Sequence, residues 1–409
     1  MTHAEVAGGR EHPVVEFNYY VNGPVLSHTV AFDELRRLGP FIRSTCGARG
    51  YWVFTEAEII RDALQHPEVF SSSVNPDVFA SAPGSDVAEE PPYNWIPELL
   101  DPPEHTKWRQ LLSPHFAPRV MEALEPKVRQ RCAEIIGTFA ARGRCDFLND
   151  FAWRYPTSIF MDLMGLPLDS LEQFLAWEHD ILHLSADQDP DRSKAFAAMV
   201  AVEQYFAGLI DEKRARPGDD LLTAALDWKI DGSPITQEDM LSWCLLMFMA
   251  GLDTVSIQLS YAFWHLAQHA ADRARLVADP AVIASAVEEF LRCFSFVPPP
   301  RRATRDIEFH GCPVKKGDNV VLPLSAANRD PAMWADPTDV VLDRSPNNHI
   351  AFGAGPHRCL GSHLARRELR VALEEWHRRI PDYHLTDGVE VVEHGGMWGI
   401  DRLSLTWDV

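Results

Sequence analysis

The chain is short of basic residues and has no paired-cysteine motif, and each shortage removes a class of function. Only 38 Lys and Arg stand against 59 Asp and Glu in 409 residues, a formal net charge of −21. Displacing counterions from a phosphate backbone needs a broad basic surface, so a nonspecific nucleic-acid binder is excluded and any basic patch must be local. The seven cysteines (46, 132, 145, 244, 293, 312 and 359) are scattered, odd in number and without a Cys-x-x-Cys pair. That pattern supports neither a disulfide framework nor a zinc ribbon.

Residues 1–17 (MTHAEVAGGREHPVVEF) contain neither the apolar centre of an export signal nor a membrane anchor of about 20 apolar residues. A cytoplasmic protein that does not engage a membrane is therefore expected. No repeat, Gly/Ser linker or low-complexity run interrupts the sequence. The expected organisation is a disordered segment over 1–16 followed by a single domain over 17–409. With 46% apolar residues the chain can build a large core, which excludes a disordered or collagen-like protein.

What is present is mostly helical periodicity. Apolar residues recur at three and four through the middle of the chain, as in Val128, Cys132, Ile135 and Phe139, and again in Met199, Val202, Phe206 and Leu209. The longest helix is predicted to open at Thr236, after Pro234, and to run to about Gln268. Its apolar stretch from Leu245 to Ala250 has no polar face, which predicts burial. Further helices are predicted over 282–292 and 360–379, each stopped before proline. Strands are predicted over Tyr51–Phe54, Ile307–Phe309 and Val320–Leu322, and Thr55 with Glu58 reads as a capping box for a helix after the first of these. The fold class is mainly α with a small β-rich portion built from both ends of the chain.

The most informative stretch is Phe352-Gly353-Ala354-Gly355-Pro356-His357-Arg358-Cys359-Leu360-Gly361. It sets a cysteine at a helix start, where free amides and the helix dipole favour thiolate, and its glycines let main chain approach a bulky group. Such a cysteine suits metal ligation, whereas an isolated one is more often a small buried hydrophobe. Glu289 and Arg292, three apart, share one helix face and can pair. Ala250-Gly251-Leu252-Asp253-Thr254 puts an acid and a hydroxyl midway along the long buried helix, where an unpartnered charge is costly and Thr254 can bond back to Ala250.

Phe352, Gly355, Cys359 and Gly361 fit the pattern Phe-x-x-Gly-x-x-x-Cys-x-Gly, and the chain thereby resembles the cytochrome P-450 family. Glu289 and Arg292, about seventy residues upstream of Cys359, match that family's Glu-x-x-Arg pair, and residues 250–254 match its oxygen-activation motif. The resemblance implies the P-450 fold, a haem b cofactor with Cys359 as axial thiolate, a structural role for Glu289 and Arg292, and proton delivery by Asp253 and Thr254. It implies further that His105, Arg109, Arg301 and His357 hold the haem propionates. Several segments, including Gly251–Val255, Glu308–Gly311, His363–Glu368 and Trp407, are similar to the soluble bacterial camphor hydroxylase group.

In that group a tyrosine at the position of Tyr93 bonds a substrate ketone; here that role and a structural loop tyrosine both stand. The other pocket walls implied are Trp95, Leu246, Met249, Val297, Met397 and Trp398, mostly apolar. Two departures bear on the substrate: the segment between Phe70 and Tyr93 looks longer, and Pro299 replaces an acidic residue near the haem.

The function implied is hydroxylation of a small apolar substrate, of terpenoid or norisoprenoid class, with dioxygen. Electrons would come from a two-iron ferredoxin and its NAD(P)H-dependent reductase, docked on Lys107, Arg109, Arg358, Arg366, Arg367 and Arg370 unless these form an ordinary solvated face. The alternatives are a peroxide-driven peroxygenase and a non-catalytic haem-thiolate sensor.

Overall fold

The computed structural model describes residues 12–18, 24–25, 27–88, 94–184, 188–189, 192–395 and 398–409. Its longest element begins where the sequence places it: the Thr236 hydroxyl accepts from the Asp239 amide at 3.0 Å, satisfying one of the free donors of the first turn. The helix that follows, Gln237–Gln268, has 32 residues. At 1.5 Å per residue it is ~48 Å long and crosses the whole fold. It is long and apolar enough to span a membrane, yet 61% of its most apolar window is buried within the protein, as in a core helix.

Two apolar clusters form the core, and this helix runs through both. Met240, Trp243, Cys244, Leu245, Phe248 and Leu252 belong to one, which also takes in Phe160, Met164, Phe174, Val202 and Phe206 from neighbouring helices. Val255, Leu259, Phe263 and Leu266 belong to the other, with Phe147, Phe151, Phe290 and Trp376. Asp253 and Thr254 fall between them.

Strands from both ends of the chain share the largest sheet. In spatial order it runs Val14–Val15, Phe41–Ser44, Tyr51–Phe54, Asn319–Val321, Pro300–Ala303 and Phe70–Ser71. Val320 lies opposite Trp52 in a parallel pair and opposite Arg301 in an antiparallel one. The sheet thus fixes Arg301 immediately after the three prolines that end the preceding loop.

Two expectations need correction. Residues 1–11 of the segment expected to be disordered lie outside the described residues, but Val14–Val15 pairs with Arg43–Ser44 and extends the sheet. Nor does Thr55 form a capping box. Its hydroxyl donates to the Gly39 carbonyl at 2.7 Å, and the Ala57 amide instead donates to the Asp330 carboxylate at 2.8 Å. A partner 273 residues away displaces the local one.

Glu289 and Arg292, on the helix Ile283–Cys293, are both fully buried and pair in a two-pronged contact at 2.8 Å on each prong. Glu289 also accepts from the Val341 amide, Arg344 and Asn347, while Arg292 donates to the carbonyls of Asn328, Pro337 and Asp339. This is a brace for residues 328–347, the stretch leading into the cysteine loop. Glu289→Ala leaves a buried guanidinium uncompensated, and its expected cost is about 3–5 kcal/mol by chemical denaturation. A loss below about 1 kcal/mol, the size of an exposed pair, would contradict that role.

Candidate functional site

The cysteine loop is set by close backbone contacts. Gly353 donates to Ile350 at 2.8 Å, Arg358 to Gly355 at 3.1 Å, and Cys359 to Phe352 at 2.8 Å. Gly355 has φ +69°, and a Cβ there would lie 2.2 Å from the Leu64 carbonyl oxygen, so only glycine lets the loop pass beneath the helix Ala57–Gln65. From the other side Asn328 accepts from the Ile350 amide at 2.8 Å, tying the loop to the buried brace.

Cys359 lies two residues ahead of Gly361, the cap of the helix Ser362–Arg379, and not within its first turn. Its side chain is solvent-accessible, yet withdrawal from water dominates its titration. Glu98 behaves the same way. Side chains both accessible and surrounded by protein line an internal cleft. Burial pushes the Cys359 thiol up, while the Gly361 amide, Arg109 and Arg358 pull it down. Loss of the thiol proton accompanies metal binding.

Near it gather two imidazoles and two guanidiniums. The His105 and His357 rings are 4.0 Å apart between centroids, and Arg301 is buried. Arg109 donates to the Arg358 carbonyl at 2.9 Å. Burial, Arg301, the facing imidazole and Arg109 hold His357 down at about 2; burial and Arg109 hold His105 at about 4. Among the described residues His105 Nδ1 has no hydrogen-bond partner, and the His357 ring, close to the Leu100 main chain, makes no hydrogen bond of proper geometry. Four donors brought together around unsatisfied nitrogens call for an anionic partner.

On the long helix Leu246, Met249, Ala250 and Thr254 are spaced three and four apart and remain partly or fully accessible, although Leu245, Phe248 and Leu252 beside them are buried. This stripe is open to a water-sized molecule where its neighbours are not. Thr254 donates back to the Ala250 carbonyl at 3.2 Å. Gly251 serves packing: a Cβ would approach the Phe160 ring to 2.8 Å. Asp253 is fully buried, and its charge partner, for which the sequence offers no candidate, is His183, with Nε2 3.4 Å from the carboxylate.

A family model, Cytochrome P450, matches residues 20–279 and 281–376. The chain belongs to the cytochrome P450 family. A probable cytochrome P450 127A1 of Sinorhizobium fredii is 38% identical over 89% of this chain and 85% of its own. A methyl-branched lipid omega-hydroxylase of Mycobacterium bovis is 31% identical over 92% of this chain and 90% of its own. The solved structure of CYP101J2 superposes with a TM-score of 0.84 at 29% identity, covering 97% of each chain. The protein is a P450 monooxygenase with the family's mainly helical fold, and its cofactor is haem, held through a cysteine thiolate.

The residues present fit that cofactor. An accessible thiol on the cleft, a glycine-dependent loop behind it, and unsatisfied imidazole nitrogens beside two guanidiniums suit an iron and two propionates. Of the expected pocket walls in this P450, Trp95, Leu246, Met249 and Val297 are half-buried. Tyr93 and Met397 lie outside the described residues. Trp398 is core, 2% exposed and packed on Phe32, rather than a pocket wall.

The expected basic cluster is largely paired: Lys107 with Asp231, Arg366 with Glu288, and Arg367 and Arg370 with Glu125. Arg366, Arg367 and Arg370 line a surface cleft of about 250 Å³ to which Cys359, Asp253 and Thr254 do not contribute. Sequence reasoning missed Glu98, Glu178 and His183, whose positions carry no motif.

Gly355→Ala is expected to displace the cysteine loop and cut haem content sharply, read as the ratio of Soret to protein absorbance. Gly353→Ala is the control: φ there is +73° but nothing lies within 4 Å of the added methyl. Its cost is confined to backbone strain of about 1–3 kcal/mol. Equal haem content in the two variants would remove the Leu64 contact from the account.

Proposed function

We propose that this P450 hydroxylates a compact, largely apolar substrate of terpenoid or norisoprenoid class in the cleft lined by Trp95, Leu246, Met249 and Val297. Cys359 would hold the haem iron through its thiolate, His105, Arg109, Arg301 and His357 would take the propionates, and Asp253 and Thr254 deliver protons. One observation carries this assignment: the long helix leaves a stripe of small and apolar side chains accessible beside the Asp253–Thr254 pair. A mycobacterial relative named for methyl-branched lipids supports an apolar, branched substrate.

Haem, when bound, supplies dioxygen activation and the oxidising chemistry. The chain supplies the rest. Apolar walls exclude water and orient the substrate, and Thr254 exchanges its bond to the Ala250 carbonyl for one toward dioxygen. Asp253, in the same turn of helix, passes protons toward that site. Glu98 adds a polar anchor to the cleft; its carboxyl is pushed up by burial, against the pull of Arg301 and Arg109.

Electrons come from a two-iron ferredoxin reduced by an NAD(P)H-dependent partner, with both proteins cytoplasmic. Arg358 is exposed and has no ion-pair partner among the described residues, which suits it to contact an acidic protein better than the paired arginines do.

The first measurement is the ferrous–carbon monoxide spectrum, followed by titration of the ferric protein with camphor, cineole and ionones. A red-shifted thiolate-type Soret band and a low-to-high-spin shift are expected; a histidine-like spectrum in intact protein would refute Cys359 as the ligand. Thr254→Ala is expected to divert most electron flow from product to peroxide. Fully coupled turnover in that variant would exclude Thr254 from proton delivery.

A further inference from the structure

Asp253 does not stand alone in its turn of the long helix. The carboxylate of Glu178, the last residue of the helix Leu171–Glu178, and the imidazole of His183, at the end of the π-turn His179–His183, converge on it. One ligand-type atom from each lies within 4.8 Å of the others. Glu178 is 2% exposed and Asp253 0%. Among the described residues Glu178 Oε1, His183 Nε2 and both Asp253 carboxylate oxygens have no hydrogen-bond partner of proper geometry. Two carboxyls and an imidazole buried together are tolerated only if protons are shared among them.

A route to the surface starts at His183. Its ring lies against Trp153, His179 and His394, with the His394 centroid 5.6 Å away in an edge contact. His394 Nε2 is 3.9 Å from the carboxylate of Asp401, beyond direct hydrogen-bond distance, and the Asp401 side chain is 52% exposed. Gly399 makes room for this imidazole, since a Cβ there would come within 2.8 Å of His394 Nε2.

We propose that Glu178 and His183 are relay residues that reload Asp253 with protons, and that His394 and Asp401 connect them to solvent. This rests on Asp253 and Thr254 being the proton-delivering pair. Each turnover inserts one oxygen atom of dioxygen into a C–H bond and reduces the other to water, consuming two electrons from the redox partner and two protons. One proton leaves the Glu178 carboxyl O–H for the Asp253 carboxylate, and the other leaves the His183 imidazolium N–H. In each case the bonding pair stays on the donor, which regains a proton from solvent through His394.

The electrostatics agree with these roles. Burial and the Asp253 charge push Glu178 well up, which keeps it a neutral acid. Burial pulls His183 down, but Asp253 and then Asp401 outweigh it and the net direction is up. Burial and His183 push His394 down, against Asp401 and Asp253, so it is suited to pass a proton and not to retain it. His179 is held down by burial and His183, against Asp180.

The deciding readout is infrared and needs no substrate. In the ferric holoprotein at neutral pH, Glu178→Gln should abolish one protonated-carboxyl band, leaving any from Glu368 and Glu98, whose carboxyls burial also pushes up. Absence of any such loss overturns the proposal. For turnover, with whichever of camphor, cineole or β-ionone gives the largest spin shift, peroxide-driven product on the same preparation is the reference, because peroxide brings its own protons. Relative to it, Glu178→Gln should lower dioxygen-driven product by about a hundredfold, the lower end of the range for loss of one proton-transfer group, and raise the solvent isotope effect. His183 donates only below its raised pKa, so wild-type dioxygen turnover should fall as pH rises through it, and His183→Gln should remove that limb.

If Asp253→Asn suppresses dioxygen turnover while neither relay variant does, the relay fails and the Asp253–Thr254 pair survives. If Asp253→Asn is also silent, the pair itself is wrong. A stoichiometric divalent metal other than iron, lost in His183→Gln by elemental analysis, would overturn the relay in favour of a cation site.

Discussion

A single helix threads both apolar clusters, and its buried acid sits where it leaves one for the other. Up to Leu252 its side chains pack against one cluster; from Val255 they pack against the second. Asp253 and Thr254 occupy the two positions between. A carboxylate within either cluster would be left without partners at a cost of several kcal/mol. At the seam it meets Glu178 and His183, which approach from a neighbouring helix end and its π-turn. The same change of packing partner leaves Leu246, Met249 and Ala250 accessible. The accessible stripe and the buried acid cluster are therefore consequences of one discontinuity in the core.

The cysteine loop depends on a different kind of support. Its glycine passes within touching distance of the Leu64 carbonyl, and its Ile350 end is tied through Asn328 to the Glu289–Arg292 network. That network adds little over a hydrophobic equivalent in stability, because desolvating the ions offsets their attraction. Its value is geometric. Arg292 gathers three backbone carbonyls that no helix or strand satisfies, and so fixes an irregular stretch that leads into the loop.

Features settled by neighbours in sequence were legible before the structure. The long helix begins at Thr236 because the capping partner is three residues away, and the elements bounded by proline end where expected. Features settled by distant partners were not. Thr55 and Glu58 have the composition of a capping box, but Asp330 reaches the helix start first. Six basic residues can be counted along the chain, whereas the acids that pair with four of them belong to other elements. His183 lies seventy residues before Asp253 and in no motif, so no periodicity connects them.

The titratable groups divide into two sets that do not share members. His105, Arg109, Arg301 and His357 act on one another and on Glu98 and Cys359. Glu178, His183, Asp253 and His394 act on one another and on Asp401. Were a guanidinium of the first set to reach Asp253, the pair would close into a buried salt bridge, and the carboxylate would lose its ability to take up and release a proton. Histidine suits that position because it carries a charge only while it holds a proton. A permanently charged arginine would stabilise the carboxylate; an imidazole exchanges protons with it. The permanent cations Arg109 and Arg301 thus stay apart from Asp253, and neither set neutralises the other.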